Sequence, residues 1–186
     1  MEILSYFNKI HRLSLKAQAA LVHISTEKTY QKNQIVQEIG GRCKTVYFVQ
    51  YGCARIFYFK DGNDITEHFA FENDLIVRAE SLFTGKTTSK GIQVIDNSRI
   101  LCIESESLFR LYDQHHDIER LFRLVFEKEY VNTVKRIESF QFKSAKERYM
   151  ELLAATDYVQ KIPLKYIATY LGITQVSLSR IRAEVR

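Results

Sequence analysis

The sequence predicts an α+β chain: short helices first, then an antiparallel β-sandwich or barrel, then one long helix, then a terminal pair of short helices. Three observations carry that order. From Thr29 to Ile103, β-branched and aromatic runs are broken at short intervals by Gly40-Gly41, Gly52, Asp61-Gly62-Asn63, Asn73-Asp74, Gly85 and Asp96-Asn97, the texture of strands joined by turns. From Asp117 to Phe142 there is neither glycine nor proline, and apolar residues recur three or four apart. Near the end, two short apolar-periodic segments flank Gly172.

Composition sets the frame. With 186 residues, 46% hydrophobic and 26% charged, the chain can bury roughly 70% of its unfolded surface and needs no disulfide or structural metal to hold a core. Cys43, Cys53 and Cys102 are odd in number and far apart, which fits neither a disulfide framework nor a zinc or iron-sulfur site. A reducing cytoplasm is the expected location. Met1 to His11 lacks the apolar core of an export signal, and no run approaches the length of a membrane span. Charge is informative by position: the first 134 residues hold 17 basic and 17 acidic side chains, the last 52 hold ten basic and five acidic. A basic end on a neutral body points to a polyanionic partner, or else to an ordinary solvated basic surface.

The elements follow in order. Ile3, Phe7, Ile10, Leu13, Leu15, Leu21 and Ile24 have helical spacing. Thr45 to Gln50, Ala54 to Phe59 and Ile65 to Phe71 alternate with turn residues and are expected to run as a strand-turn meander. Leu108 onward is helical again. Along Asp117 to Phe142, Ile118, Leu121, Phe122, Val125, Val131, Val134, Ile137 and Phe140 keep one face apolar for about 38 Å at 1.5 Å per residue. So long a stripe is expected to pair with a second copy, with Ile118, Leu121, Phe122, Val125 and Val131 as its dimer residues, or else to serve as a plain core helix. Ser144 and Glu147 are spaced as a capping box, with Tyr149, Leu152 and Leu153 expected to face inward. Asp157 to Ile162 connects, and Pro163 opens the next helix.

Residues 162 to 181 obey helix-turn-helix grammar. Small Ala168 allows a close crossing, Gly172 supplies the turn, and Ile167, Leu171, Ile173, Leu178 and Ile181 form a shared core. The second helix, capped near Thr174, then exposes Thr174, Gln175, Ser177, Ser179, Arg180 and Arg182. These side chains reach phosphates and base edges: arginine binds guanine O6/N7 bidentately, and glutamine binds adenine N6/N7. Double-stranded DNA is the expected partner; the alternative is a structural helical hairpin. Arg186 closes the sequence soon after, so no wing is expected to follow. Phosphate contacts then fall to Lys143, Lys146, Arg148, Lys161 and Lys165.

The order of a glycine-punctuated roll, a long helix and a terminal helix-turn-helix resembles the Crp/Fnr family of bacterial transcription factors. Ile167 to Thr174 with Leu178 to Ile181 resembles a branch common in Bacteroidetes-like bacteria. The resemblance implies an N-terminal antiparallel β-roll, a cyclic-nucleotide-binding-like jelly roll with flanking helices, over residues 1–116. It implies a dimerisation helix over 117–142 and a DNA-binding domain over 143–186. It also implies a homodimer, RNA polymerase as a further partner, and base-reading positions at Gln175, Val176 and Arg180. Val176 departs from the family's frequent glutamate, so the operator need not be the usual one.

At the ligand pocket the resemblance weakens. Cyclic-nucleotide binders of the family carry Gly-Glu, the glutamate on the ribose hydroxyl, and later an arginine on the cyclic phosphate. Here those places hold Val77-Arg78 and Thr88, and a threonine hydroxyl does not replace a bidentate arginine-phosphate pair. Cyclic AMP in the usual mode is therefore not expected. Arg78, Glu80, Ser81, Lys86, Thr88 and Ser89 remain candidates for another small effector, or for a solvated loop on a roll that has lost its ligand. No cofactor is assigned. The histidines His11, His23, His68, His115 and His116 make no metal-binding set, and His68 is expected to be an ordinary strand residue. The readings left standing are a dimeric sequence-specific DNA-binding regulator and a ligand-sensing module whose hairpin never touches DNA. An enzyme is not expected, since no nucleophile, base and orienter are set together in the sequence.

Overall fold

The computed structural model describes residues 2–185, so the outer bounds at Met1 and Arg186 expected for the first and last units lie outside the described residues. Helices α1 (Glu2–Ile10) and α2 (Leu15–His23) open the chain, with Ser14 capping α2 by accepting from the Ala17 N–H. Eight strands follow: β1 (Ser25–Tyr30), β2 (Ile35–Gln37), β3 (Thr45–Tyr51), β4 (Ala54–Lys60), β5 (Asn63–Ala70), β6 (Leu75–Ile76), β7 (Gly91–Val94) and β8 (Ser98–Glu104), with helix α3 (Ala79–Thr84) between β6 and β7. Then come α4 (Ser105–Gln114), α5 (His116–Phe142), α6 (Ala145–Ala155), a 3-10 turn (Asp157–Gln160), α7 (Leu164–Tyr170) and α8 (Gln175–Val185).

The strands form two four-stranded antiparallel sheets, in the orders β1-β8-β3-β6 and β2-β7-β4-β5. Only β4 and β5 make a neighbouring hairpin of the expected kind, with Ala54 opposite Ala70. β3 and β4 lie in different sheets, so the meander expected from regular spacing is a roll that crosses between layers at Gly52-Cys53. The reason lies in burial on both faces. Along β3, Val46 and Phe48 enter one apolar cluster with the helices while Tyr47 and Val49 enter another between the sheets; Leu101 and Ile103 against Ile100 and Cys102 divide β8 the same way. A strand buried on both faces is a continuous apolar run, so its layer cannot be read from period two alone.

The long helix divides in two. Ile118, Leu121, Phe122 and Val125 are buried within one protomer, where Phe122 meets Phe7 and Phe48 and the cluster includes Ile3, Phe7, Leu21 and Leu108. These four expected dimer residues are therefore core residues of the chain itself. Their ring and branched side chains fill the groove between α1, α2, α4 and the first sheet, leaving no surface for a second copy. Val131, the fifth, is 48% exposed, and Tyr130, Val134, Ile137, Phe140 and Phe142 continue the exposed apolar stripe.

The last third is capped as its sequence dictates. Ser144 and Glu147 make a reciprocal capping box, and Pro163 stands at the N-cap of α7. Tyr149 and Leu152 are buried, but Leu153 is 38% exposed because one turn of α6 has only Tyr149 and Leu152 pointing at α7 and α8. The terminal helices are not a separate body. Their core, with Ile162, Ile167, Leu171 and Leu178, is continuous with Cys53, Phe69 and Ile95 of the roll.

Candidate nucleic-acid interface and ligand cleft

The turn between α7 and α8 rests on Gly172, whose φ of +69° is a left-handed conformation that disfavours any side chain; a Cβ there also meets the Phe140 ring at 3.3 Å. Thr174 then caps α8, its hydroxyl accepting from the Ser177 N–H at 3.1 Å and lying 3.0 Å from the Ser177 hydroxyl. Leu178 is fully buried under α8 and fixes the roll of the helix. Its opposite side turns Gln175, Val176, Ser177, Ser179 and Arg180 to solvent, with Arg182 half-buried. Lys165 is exposed on α7, its Nζ 4.8 Å from the Tyr166 ring. Thr174 and Ser177 thus have a structural duty besides any contact to DNA.

Other expected phosphate-binding cations are partly engaged. Lys143 pairs with Glu151, Lys146 with Glu184 at 2.9 Å and Lys161 with Asp96 at 3.4 Å. Arg148 departs furthest from that expectation. It is half-buried, donating to the carbonyls of Lys143 and Leu171, and it lies over the Phe140 ring at 4.6 Å. It closes the C-terminal end of α7, where helix carbonyls lack partners.

A cleft of about 790 Å³ lies between the roll and α5. Ile56, Glu67, His68, Ile76, Arg78, Glu80 and Phe83 form its roll side, and Phe126, Glu129, Tyr130, Thr133, Arg136, Ile137 and Phe140 its helix side. Of the six expected pocket residues the structure brings in Arg78 and Glu80 alone. Ser81 is buried instead, accepting from the Cys43 N–H and donating to the Lys86 carbonyl. Thr88 is bonded through its backbone to Gly40 and Gly41, and its hydroxyl accepts from the Lys90 N–H. Lys86 and Ser89 stand exposed on the loop. Bonds to the 40–43 segment, with a few within the loop, hold it away from the cleft. Sequence reasoning missed Glu67, Glu129, Tyr130, Thr133 and Arg136. The exposed distal stripe of the long helix was the available signal, since polar residues interleaved with it face the same side.

The cleft is electrostatically layered. Burial raises the Glu67 carboxyl, but the Lys90 hydrogen bond and the Arg78 charge outweigh it and hold the group below its ordinary range. His68 is pushed down to about 4 by burial and by Arg136, so it is neutral near pH 7. It is the one histidine on the cleft wall and has more than an ordinary strand setting. Burial also raises the thiols of Cys43, Cys53 and Cys102, so none is a reactive thiolate. Among the described residues no group of three or more potential ligands is placed to hold a metal ion, and no helix is long and apolar enough to cross a membrane.

Residues 27–115 match the family described as cyclic nucleotide-binding domain. None of the curated proteins matches the chain. Among solved structures, FixK2 from Bradyrhizobium japonicum is 20% identical, with a TM-score of 0.73 over 87% of this chain and 84% of that one. A protein from Eubacterium rectale described as a Crp/Fnr-family transcriptional regulator is 16% identical, with a TM-score of 0.71 over 92% and 83%. The c-di-GMP responsive global regulator CLP of Xanthomonas campestris is 13% identical, with a TM-score of 0.70 over 92% and 91%. The fold is thus that of the Crp/Fnr regulators along nearly all of the chain. The part that holds the β-roll is, more particularly, similar to a cyclic nucleotide-binding domain.

Proposed function

We propose that the protein is a dimeric transcription regulator of the Crp/Fnr type that reads a specific DNA sequence with α8 and senses a small ligand in the cleft beside α5. The observation that carries this reading is α8 itself: an apolar underside of Leu178 and Ile181 beneath an exposed polar and basic face of Gln175, Ser177, Ser179 and Arg180. A structural hairpin has no need of that face. The exposed stripe from Tyr130 to Phe142 supports dimerism, since an apolar surface of that length on a helix is covered by a second copy in a parallel pair. Residues 117–142 then join a sensor unit, 1–116, to a DNA-binding unit, 143–186. Two α8 helices would enter successive major grooves about 34 Å apart. RNA polymerase is the partner through which such a regulator acts. Cyclic AMP in the usual mode is not the ligand this reading assigns, because Thr88 stands where the resemblance places the phosphate-pairing arginine and lies outside the cleft, while the cleft's arginines, Arg78 and Arg136, sit at other positions.

The test is selection of bound duplexes from a random pool by the purified protein at two salt concentrations. Enrichment of a palindrome with half-sites one helical turn apart is the expected result. Salt-sensitive binding with no enriched sequence, persisting when cell-extract small molecules are added, overturns the sequence-specific reading.

A further inference from the structure

Arg78 is only 9% exposed, yet its one hydrogen bond runs from Nη1 to Glu67 at a long 3.3 Å, and its Nε finds no partner. Glu67 is shared with Lys90. A buried guanidinium with unspent donors on the wall of an apolar cleft is a standing demand for acceptors. Arg78 also falls where the family resemblance places a ribose-binding glutamate, so the charge of that anchor is reversed.

Arg136 faces the same cleft from α5 and also lines a second cavity, of about 490 Å³, between α5, α6 and α7. Its guanidinium lies 3.8 Å from the centre of the Tyr170 ring and 5.0 Å from that of Phe140, and Nη2 donates to the Tyr170 carbonyl at 3.3 Å. Tyr170 ends α7 and its ring meets Phe69 of β5 at 4.8 Å. With Arg148 on the Leu171 carbonyl, two arginines clamp the end of the first helix of the DNA-binding pair. The Arg136 bond is long and made to a neutral acceptor. An acid group offers a charge-assisted bond of about twice the strength.

We propose that the cleft takes an anionic ligand with an apolar body, its acid group held between Arg78 and Arg136, and that Arg136 transmits binding by exchanging the Tyr170 carbonyl for that acid. This rests on the sensor reading above and adds the ligand's chemistry and the route of the signal. Ile56, Ile76, Phe83, Phe126 and Ile137 supply the apolar wall. The carboxylates present do not oppose it: Glu67 is neutralised by Arg78 and Lys90, Glu80 is at the cleft's edge and exposed to solvent that screens its charge, and Glu129 is raised by burial with Lys128 beside it. His68, neutral, adds no competing charge, and the charges of both Arg136 and Arg78 act on it. Once Arg136 leaves, α7 keeps one clamp of two, and its seat on β5 loosens.

The test uses the full chain and two fluorescent probes of matched shape, the sulfonate 8-anilinonaphthalene-1-sulfonate and the uncharged N-phenyl-1-naphthylamine. The expected result is at least tenfold tighter binding of the sulfonate. Arg78→Gln and Arg136→Gln should each lose about tenfold for the sulfonate and nothing for the neutral probe. Octanoate and octyl phosphate as competitors distinguish a carboxylic from a phosphoric acid as the preferred group. Saturation with the sulfonate should speed amide exchange at Thr66 and Gly172 in the unmodified chain. In Arg136→Gln those amides should already be fast, with no further response. Equal binding of both probes, or tight sulfonate binding that both variants retain, overturns the anion assignment. Charge-selective binding with no change in exchange overturns the transmission. Binding of neither probe overturns the sensor reading and the proposal with it, whereas the duplex selection stands or falls separately.

Discussion

At the scale of the residue, the same side-chain type does different work according to what surrounds it. Arg180, exposed on α8, is free to meet a base edge, whereas Lys165, exposed on α7, offers only a point charge. Arg180→Ala is therefore expected to cost about 1–3 kcal/mol at one operator position and relax the preference there. Lys165→Ala should weaken all sequences alike and reduce the salt slope by about one. Titrations of both variants against operator and scrambled duplexes at several salt concentrations check this, and a merely uniform loss in both cases removes Arg180 from base reading. His68 supplies a pH dependence. Its folded pKa of about 4 lies below the usual unfolded value, so between about pH 6.5 and 4 the unfolded chain binds a proton that the folded chain refuses. Stability should fall as pH falls through that window, by an amount on the order of 3 kcal/mol. Glu67, held low by Lys90 and Arg78, adds its own loss as pH falls toward its depressed pKa. His68→Gln isolates the histidine: urea unfolding at pH 7 and pH 4.5 should show a shallower decline than in the unmodified chain, and an unchanged decline rejects the assignment.

Elements show where a sequence stops being legible. The extent of α5 was readable because no breaker interrupts it, and the capping box of α6 and the turn at Gly172 were readable because each needs particular residue types at fixed offsets. The partner of each half of α5 was not. Ile118 to Val125 and Val131 to Phe140 share one spacing, and only the placement of α1, α2 and α4 shows that the first half is sealed inside the protomer. The cleft was missed for the same reason. Arg78 was legible as a departure from a family pattern, but Arg136 is far away in sequence and meets it only after β6 and α5 come together. Ser81 and Thr88 read as pocket hydroxyls in the sequence, but the structure spends the first on the Cys43 N–H and the second on the Lys90 N–H. The division of α5 gives a paired prediction. Phe122→Ala should cost about 3–5 kcal/mol of stability with its cavity left unfilled. Val131→Glu should leave the chain folded and split the proposed dimer, because Val131 is exposed on the stripe and stands outside the cleft. Sedimentation and denaturant unfolding of both variants decide it; a dimer that survives Val131→Glu, with or without lost stability, shows that the stripe is not the seam.

At the scale of the whole molecule, the question is what joins reading to sensing in one chain. β5 is the edge strand of its sheet, and an open edge exposes unpaired backbone groups. α7 covers it: the Thr66 N–H donates to the Thr169 hydroxyl at 3.1 Å. On the outer face of the same sheet Arg55 is buried, held by Asp64 at 2.6 and 2.7 Å and by Gln93, with its guanidinium 3.6 Å from the centre of the Tyr166 ring of α7. Four-fifths of the chain away in sequence from α1, the first helix of the proposed DNA-binding pair is thus the lid of a sheet edge, and any force on β5 or on Tyr170 reaches α8 through seven residues of helix. Thr169→Val removes the acceptor while keeping the shape of the side chain. A bond worth about 1 kcal/mol corresponds to roughly fivefold in local opening. Exchange of the Thr66 amide should therefore quicken by about fivefold, with amides in the buried strand β8 unchanged. If the Thr66 amide keeps its rate, α7 does not protect the edge in solution, and the roll and the terminal helices are coupled through α5 alone.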